Sequence, residues 1–302
     1  MKRSFAGEMV SVLKEAGSDW MEDNAPQQGA ALAFYSLLSL APLLVIAIAI
    51  AAAVFGEDAA RGELVSQMKG MVGREGAKAI QALIKNAQEP QTGLLATLLG
   101  IATLLFGASG VFGQLQEAMN KIWDVPPKSG NGIWEMVRTR FLSFGMVLVI
   151  GFLLLASLLL SAVIAGAGEY LTEYFPGSES LLQLANTLVS LLVITVLFAL
   201  IFKVLPDAHV DWRDVWIGAM VTSMLFSVGK LLIGLYLGKS GMASSYGTAG
   251  SLVVLIVWVY YSAQILFFGA ELTRVYSRRY GSRKSERRSK QPLRESSIRR
   301  EQ

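Results

Sequence analysis

The sequence predicts an all-α fold: a polytopic transmembrane helical bundle with six spans plus amphipathic interfacial helices. Three observations lead there. The 302 residues are 53% hydrophobic and only 17% charged, with mean hydropathy +0.47, whereas soluble domains carry roughly 25% charged residues. Six apolar stretches each approach the roughly 20 residues needed to cross a bilayer core of about 30 Å. Lysine and arginine are distributed unevenly between the connections of those stretches.

The elements follow in order. Residues 1–28 form an amphipathic cytoplasmic lead-in. Its acidic residues Glu8, Glu15, Asp19, Glu22 and Asp23 and its short apolar runs do not fit a secretory signal. Its segment 4–22 is expected to be interfacial, with Phe5, Met9, Val12, Leu13 and Trp20 as apolar positions. The transmembrane domain covers 29–273. Its spans are 30–55, 93–112, 141–168, 181–202, 215–238 and 247–270, and Lys230 is their one charged residue. In lipid every backbone polar group must be paired internally, so these spans are helices. They are too continuously apolar for barrel strands, which alternate.

Between spans 1 and 2, residues 57–92 read as an outer helical hairpin with balanced charge. The cytoplasmic stretch 114–123 puts Leu115, Ala118, Met119 and Ile122 on one helical face, and Pro126 and Pro127 stop it. Residues 274–302 are Arg, Lys, Ser and Glu with little apolar content, the composition of a disordered basic cytoplasmic tail.

Orientation follows from the basic residues. With the N-terminus inside, cytoplasmic segments hold 20 Lys and Arg against 6 outside, and 9 against 6 without the tail. Both termini are expected in the cytoplasm of a bacterial inner membrane.

An ionisable residue inside a span is costly, so it marks a functional position or snorkels to an interface. Lys230 lies roughly 24 Å beyond Asp214 along the fifth span, at about 1.5 Å per residue. It shares a face with Ser223, Ser227 and Gly234. That face either lines a wet cavity or lets Lys230 reach the outer interface. The sixth span carries Tyr260, Gln264 and Glu271 at matching helical spacing. Lys203 and Glu271 both fall near the cytoplasmic side, as a candidate pair or as independent charges. The first span holds Ser36, Ser39 and Pro42. The proline frees a backbone carbonyl, as in a packing kink or at a transporter binding site. Gly218, Gly229, Gly234 and Gly238 suggest close helix approach.

Catalytic sets are sparse. There is no cysteine and one histidine, His209. The alternation Asp207, His209, Asp211 reads as helix capping by the two aspartates before it reads as a metal site. Nucleophile-elbow, Walker and zincin patterns are absent. No cofactor, no metal and no enzymatic activity are expected.

Four segments carry a resemblance to the YihY/BrkB family of bacterial inner-membrane proteins. They are 30–42 (AALAFYSLLSLAP), 116–123 (QEAMNKIW), Leu205-Pro206-Asp207 through Trp212 to Gly218-Ala219, and 258–266 (WVYYSAQIL) with Gly269-Ala270-Glu271-Leu272. The resemblance implies six spans and an inner-membrane location. It also brings an old ribonuclease BN label, which a chain with one histidine among isolated carboxylates does not support. The expected function is a non-ATPase transporter or flippase-like protein for a lipid or other amphiphilic, anionic substrate. Its path would use Lys230, Ser227, Ser223, Ser36, Ser39, Pro42, Tyr260, Gln264 and Glu271. The alternative is a non-catalytic membrane scaffold or envelope assembly factor. Expected partners are membrane lipids and a second copy or an envelope protein, without nucleic acid.

Overall fold

A computed structural model describes residues 5–39, 110–126, 179–208, 210–239 and 250–282, with isolated positions at 56, 62, 77, 78, 80–82 and 145. The described residues are helical apart from turns and short connections. In chain order they form α1 (Phe5–Glu22), α2 (25–39), α3 (110–122), α4 (Glu179–Val204), α5 (Trp212–Lys239) and α6 (Gly250–Arg279).

Among the described residues, three helices are long and apolar enough to cross a membrane: Gln183–Val204, Trp212–Leu237 and Gly250–Arg279. They match the fourth, fifth and sixth expected spans. The first three expected spans, and most of the 57–92 hairpin, lie largely outside the described residues. One boundary needs correction. Helix α6 runs on through Arg279, so Arg274, Arg278 and Arg279 are helical and do not belong to a tail starting at 274. Residues 283–302 lie outside the described residues. At 30 residues, α6 is about 45 Å long, longer than a hydrocarbon core of about 30 Å.

Helices α5 and α6 pack antiparallel through two matched Gly-x-x-x-Thr steps. A Cβ at Gly218 would lie 1.8 Å from Thr273 Oγ1, and one at Gly269 would lie 2.1 Å from Thr222 Oγ1. Each threonine hydroxyl donates back to the glycine carbonyl four residues earlier on its own helix, at 2.7 Å in both cases. The polar group is thus satisfied within the helix, and the threonine side chain, hydroxyl foremost, fills the space left by the missing Cβ opposite. Without a hydrophobic drive between helices in lipid, such close approach supplies the association. Further along, Gly229 faces Tyr261 and Ile265. Gly234 has nothing within 4 Å of where a Cβ would stand, so it is not a packing glycine. Gly238 lies outside the residues whose surroundings are described.

Helix α4 joins the pair through edge-to-face rings. Phe198 meets Phe226 at 5.6 Å, and Phe226 meets Trp258 at 6.4 Å. Helix α3 supplies the centre of the core, where Met119, Ile122 and Trp123 are buried. Its expected apolar face, Leu115, Ala118, Met119 and Ile122, is the buried one. The helix ends before the prolines. Asp124 takes a left-handed φ of 52°, Val125 N–H donates to the Asn120 carbonyl at 2.9 Å, and Asp124 N–H donates to that of Lys121 at 3.1 Å. This is a Schellman stop.

The packing steps predict an asymmetry. Gly218→Leu should destabilise the protein by about 1–3 kcal/mol through overpacking, whereas Gly234→Ala should leave thermal unfolding in detergent unchanged.

Candidate functional site: a buried ion-pair junction and an unpaired amide

The last third of α6 carries Glu271, Arg274, Ser277 and Arg278 at helical spacing, and they face three other segments. Arg274 is 4% exposed. Its Nη2 donates to Asp19 Oδ2 at 2.8 Å, and its Nη1 donates to Asp23 Oδ2 at 3.3 Å, both at the end of α1 or just past it. Nη1 also reaches Asp124 Oδ1 at 3.4 Å and the carbonyl of Ile122. Nε stands 3.2 Å from Glu271 Oε2. Arg278 pairs with Asp124. One turn outward, Arg279 pairs with Glu15 and donates to Ser11 Oγ at 2.8 Å.

A second buried carboxylate closes the α5–α6 end. Asp214 is 2% exposed. Its Oδ2 accepts from Ser277 Oγ at 2.8 Å, Ser282 N–H at 2.9 Å and Ser282 Oγ at 2.8 Å. A Cβ on Gly281 would lie 2.3 Å from that carboxylate, so glycine is required where the chain leaves α6. Beside it, Asp207 is bracketed by α3: its N–H donates to Asn120 Oδ1 at 2.8 Å, and Asn120 Nδ2 donates to its Oδ2 at 3.2 Å. Asp207 therefore ties a connection to α3. Asp211 stands at the start of α5, its carbonyl accepting from Asp214 and Val215 N–H. His209 lies outside the described residues.

Glu271 is fully buried in this junction, and its partner is Arg274. The candidate Lys203–Glu271 pair is not formed. Lys203 donates to the Val210 carbonyl and lies 5.7 Å over the Trp212 ring. Gln264, two turns deeper on α6, has neither Nε2 nor Oε1 hydrogen-bonded, and both atoms are buried. Its amide presses on α2, where a Cβ at Gly29 would lie 2.0 Å from Nε2. One residue earlier, Gln28 accepts from Gln114 Nε2 at 2.6 Å, so glutamines of α2, α3 and α6 gather around one stretch of α2.

The other expected path residues separate. Ser223 is fully buried, with its hydroxyl 2.8 Å from that of Thr195 on α4 and 2.9 Å from the Met220 carbonyl. Ser227 donates to the Ser223 carbonyl at 2.8 Å. These two serines bond within and between helices. Lys230 is half-buried one turn further out, and Tyr260 is half-buried on α6. Gly229, next to Lys230, faces Tyr261, so Lys230 and Glu271 stand about 15 Å apart along the α5–α6 pair at about 1.5 Å per residue. They do not form one site. Ser39 is buried and donates to the Ser36 carbonyl at 3.2 Å. Pro42 lies outside the described residues.

Sequence reasoning missed Arg274 and its α1 partners because the basic composition after 273 reads as tail. Two spacings carried the signal. Glu271, Arg274 and Arg278 continue the period of the sixth span, and Glu15, Asp19 and Asp23 repeat every four residues on α1 with the complementary charge.

The apolar helices and the charged junction at their end define an α-helical integral membrane protein. A family model described as Virulence factor BrkB matches residues 16–294; the chain belongs to that family. It is similar to a UPF0761 membrane protein of Pseudomonas paraeruginosa, at 28% identity over 269 residues, covering 84% of this chain and 59% of the relative. A UPF0761 membrane protein of Ralstonia nicotianae is 27% identical over 262 residues, covering 86% of this chain and 56% of the relative. One from Alteromonas mediterranea is 26% identical over 272 residues, covering 88% and 87%. The chain thus spans less than three fifths of the length of the first two of these relatives. No solved structure matches.

Removing one partner of a buried ion pair strands the other charges, at a cost of about 3–5 kcal/mol. Arg274→Gln should lower the thermal stability of the purified protein accordingly. Arg274→Lys should recover only part of it, because an ammonium cannot reproduce the planar fork that reaches Asp19 and Asp23 together. Gly281→Ala should destabilise through the Asp214 carboxylate while leaving α1 attached, which proteolysis of the N-terminal segment would report.

Proposed function

We propose that this protein is a non-ATPase, flippase-like membrane transporter that moves a lipid or other amphiphilic, anionic molecule across the bacterial inner membrane. The observation that carries the reading is Gln264. A buried amide with no partner costs about 1–3 kcal/mol, and inside a span no solvent relieves it. Such a group is kept at a loss of stability when something else pairs with it during function. A polar headgroup passing between α2 and α6 would do so, with Ser36, Ser39 and Tyr260 further along the same helices. The Arg274 junction below then acts as the closed inner gate. Its ties between α1, the α3 end and α6 are charge pairs that can exchange partners, unlike an interdigitated apolar contact. Lys230, nearer the other end, attracts the anionic group.

Gln264→Leu distinguishes this reading from a purely structural one. The variant should be as stable as the parent or more stable, and movement of a labelled phospholipid in reconstituted vesicles should fall sharply. Lys230→Met should also reduce movement while expression and insertion stay normal. Unchanged movement in both variants overturns transport.

One observation favours a second reading, a non-catalytic scaffold or envelope assembly factor. The Ser223 and Ser227 hydroxyls are already engaged within the bundle, as suits a polar stripe that fastens helices. Recovery of one stoichiometric cross-linked partner, with no lipid movement, would select it.

A further inference from the structure

Helix α1 is divided lengthwise into three sectors, and among the described residues only one packs against other helices. At about 3.6 residues per turn, Val12, Ala16 and Asp19 fall on one side. Val12 and Ala16 are buried against Leu272 and Val275 of α6, with Val221 of α5 beside them, while Glu15, Asp19 and Asp23 hold the α6 arginines. A second sector, with Ser18 and Glu22, is polar and exposed. The third is apolar and open: Met9 and Leu13 are exposed, and Val10 and Met21 are each 63% exposed. Lys14, also exposed, sits at the edge between the apolar and polar sectors.

The depth of the open sector follows from the helix register. Trp212 and Trp216 are exposed at the start of α5, where aromatic residues mark a membrane–water interface. Asp214, between them, bonds Ser277, which places that interface level with the end of α6. Helix α1 touches α6 at Leu272, Arg274, Val275 and Arg279, at the same level. Val221 of α5 packs against the same cluster, and Ile217 and Met220 of α5 are exposed near this level.

We propose that α1 is a membrane-seated helix whose Met9, Val10, Leu13 and Met21 lie in the headgroup–acyl boundary of the bilayer, with Lys14 against the lipid phosphates. Two features select lipid as the occupant: the sector lies at the level of the aromatic belt, where α5 also exposes apolar side chains, and a lysine flanks it on the water side. Val12 packs inward, and Trp20, seven residues from Leu13 on the same side of the helix, packs against the core where α1 ends. The same helix delivers Asp19 and Asp23 to Arg274, so the lipid seat and the junction share one rigid element. This inference does not depend on the transport reading.

The chain has no cysteine, so single nitroxide labels are placed directly on the full-length protein in phospholipid nanodiscs. Val10→Cys and Leu13→Cys should collide with oxygen more than with a water-soluble nickel chelate, and Ser18→Cys should show the reverse. Nickel accessibility at all three positions overturns the proposal. Shielding of positions 10 and 13 from both reagents, with spin–spin broadening between copies, also overturns it, by making the sector a contact between two chains. Leu13→Glu, assayed through the Val10 label, should shift that label toward nickel; no shift counts against lipid seating.

Discussion

A guanidinium that is almost wholly removed from water has to satisfy its donors inside the protein. For Arg274 the Nη acceptors come from α1 and from the end of α3 and its turn, and its Nε meets Glu271 of its own helix as a charge contact without a hydrogen bond. No single segment could supply them. The position of α1 beside α6, and the left-handed stop at Asp124 that turns its carboxylate and the Ile122 carbonyl toward the same point, are therefore linked. Buried ion pairs are weak contributors to net stability because desolvation offsets attraction. What the arrangement confers is dependence: α1, α3 and α6 hold their relative places only together.

Above the junction the bundle changes its means of cohesion. The α5–α6 pair relies on backbone approach at Gly218 and Gly269 and on threonines that satisfy their own hydroxyls. Helix α4 is added by edge-to-face rings and by the Thr195–Ser223 contact. The upper region is shape-matched and nearly charge-free, and the lower end is ionic. Among the described residues, the buried and unbonded amide of Gln264 belongs to neither scheme. Lys230 lies well away from it, so the polar residues that look like one constellation along the sequence are at least two in space.

The spans now described were legible because bilayer thickness imposes a length that composition alone reveals. The buried face of α3 was legible too, since the spacing of Leu115, Ala118, Met119 and Ile122 has one reading on a helix. The tail boundary was not. Arg274, Arg278 and Arg279 have the composition of a solvated tail, and only their pairing with carboxylates 150 to 264 residues earlier makes them part of a core. Likewise Ser223, Ser227 and Lys230 share a helix face, but whether a serine faces water or another helix depends on what stands opposite. Here that is Thr195.

By itself the sequence determined that this chain is an all-helical membrane protein of one family, because apolar length and local motifs are properties of short segments. Tertiary structure alone decided which polar residues meet: Arg274 with Asp19, Asp23 and Glu271, Asn120 with Asp207, and Gln264 with the bare backbone at Gly29. Those contacts join residues far apart in the chain. Their energetics depend on burial, which neither residue carries in its own neighbourhood.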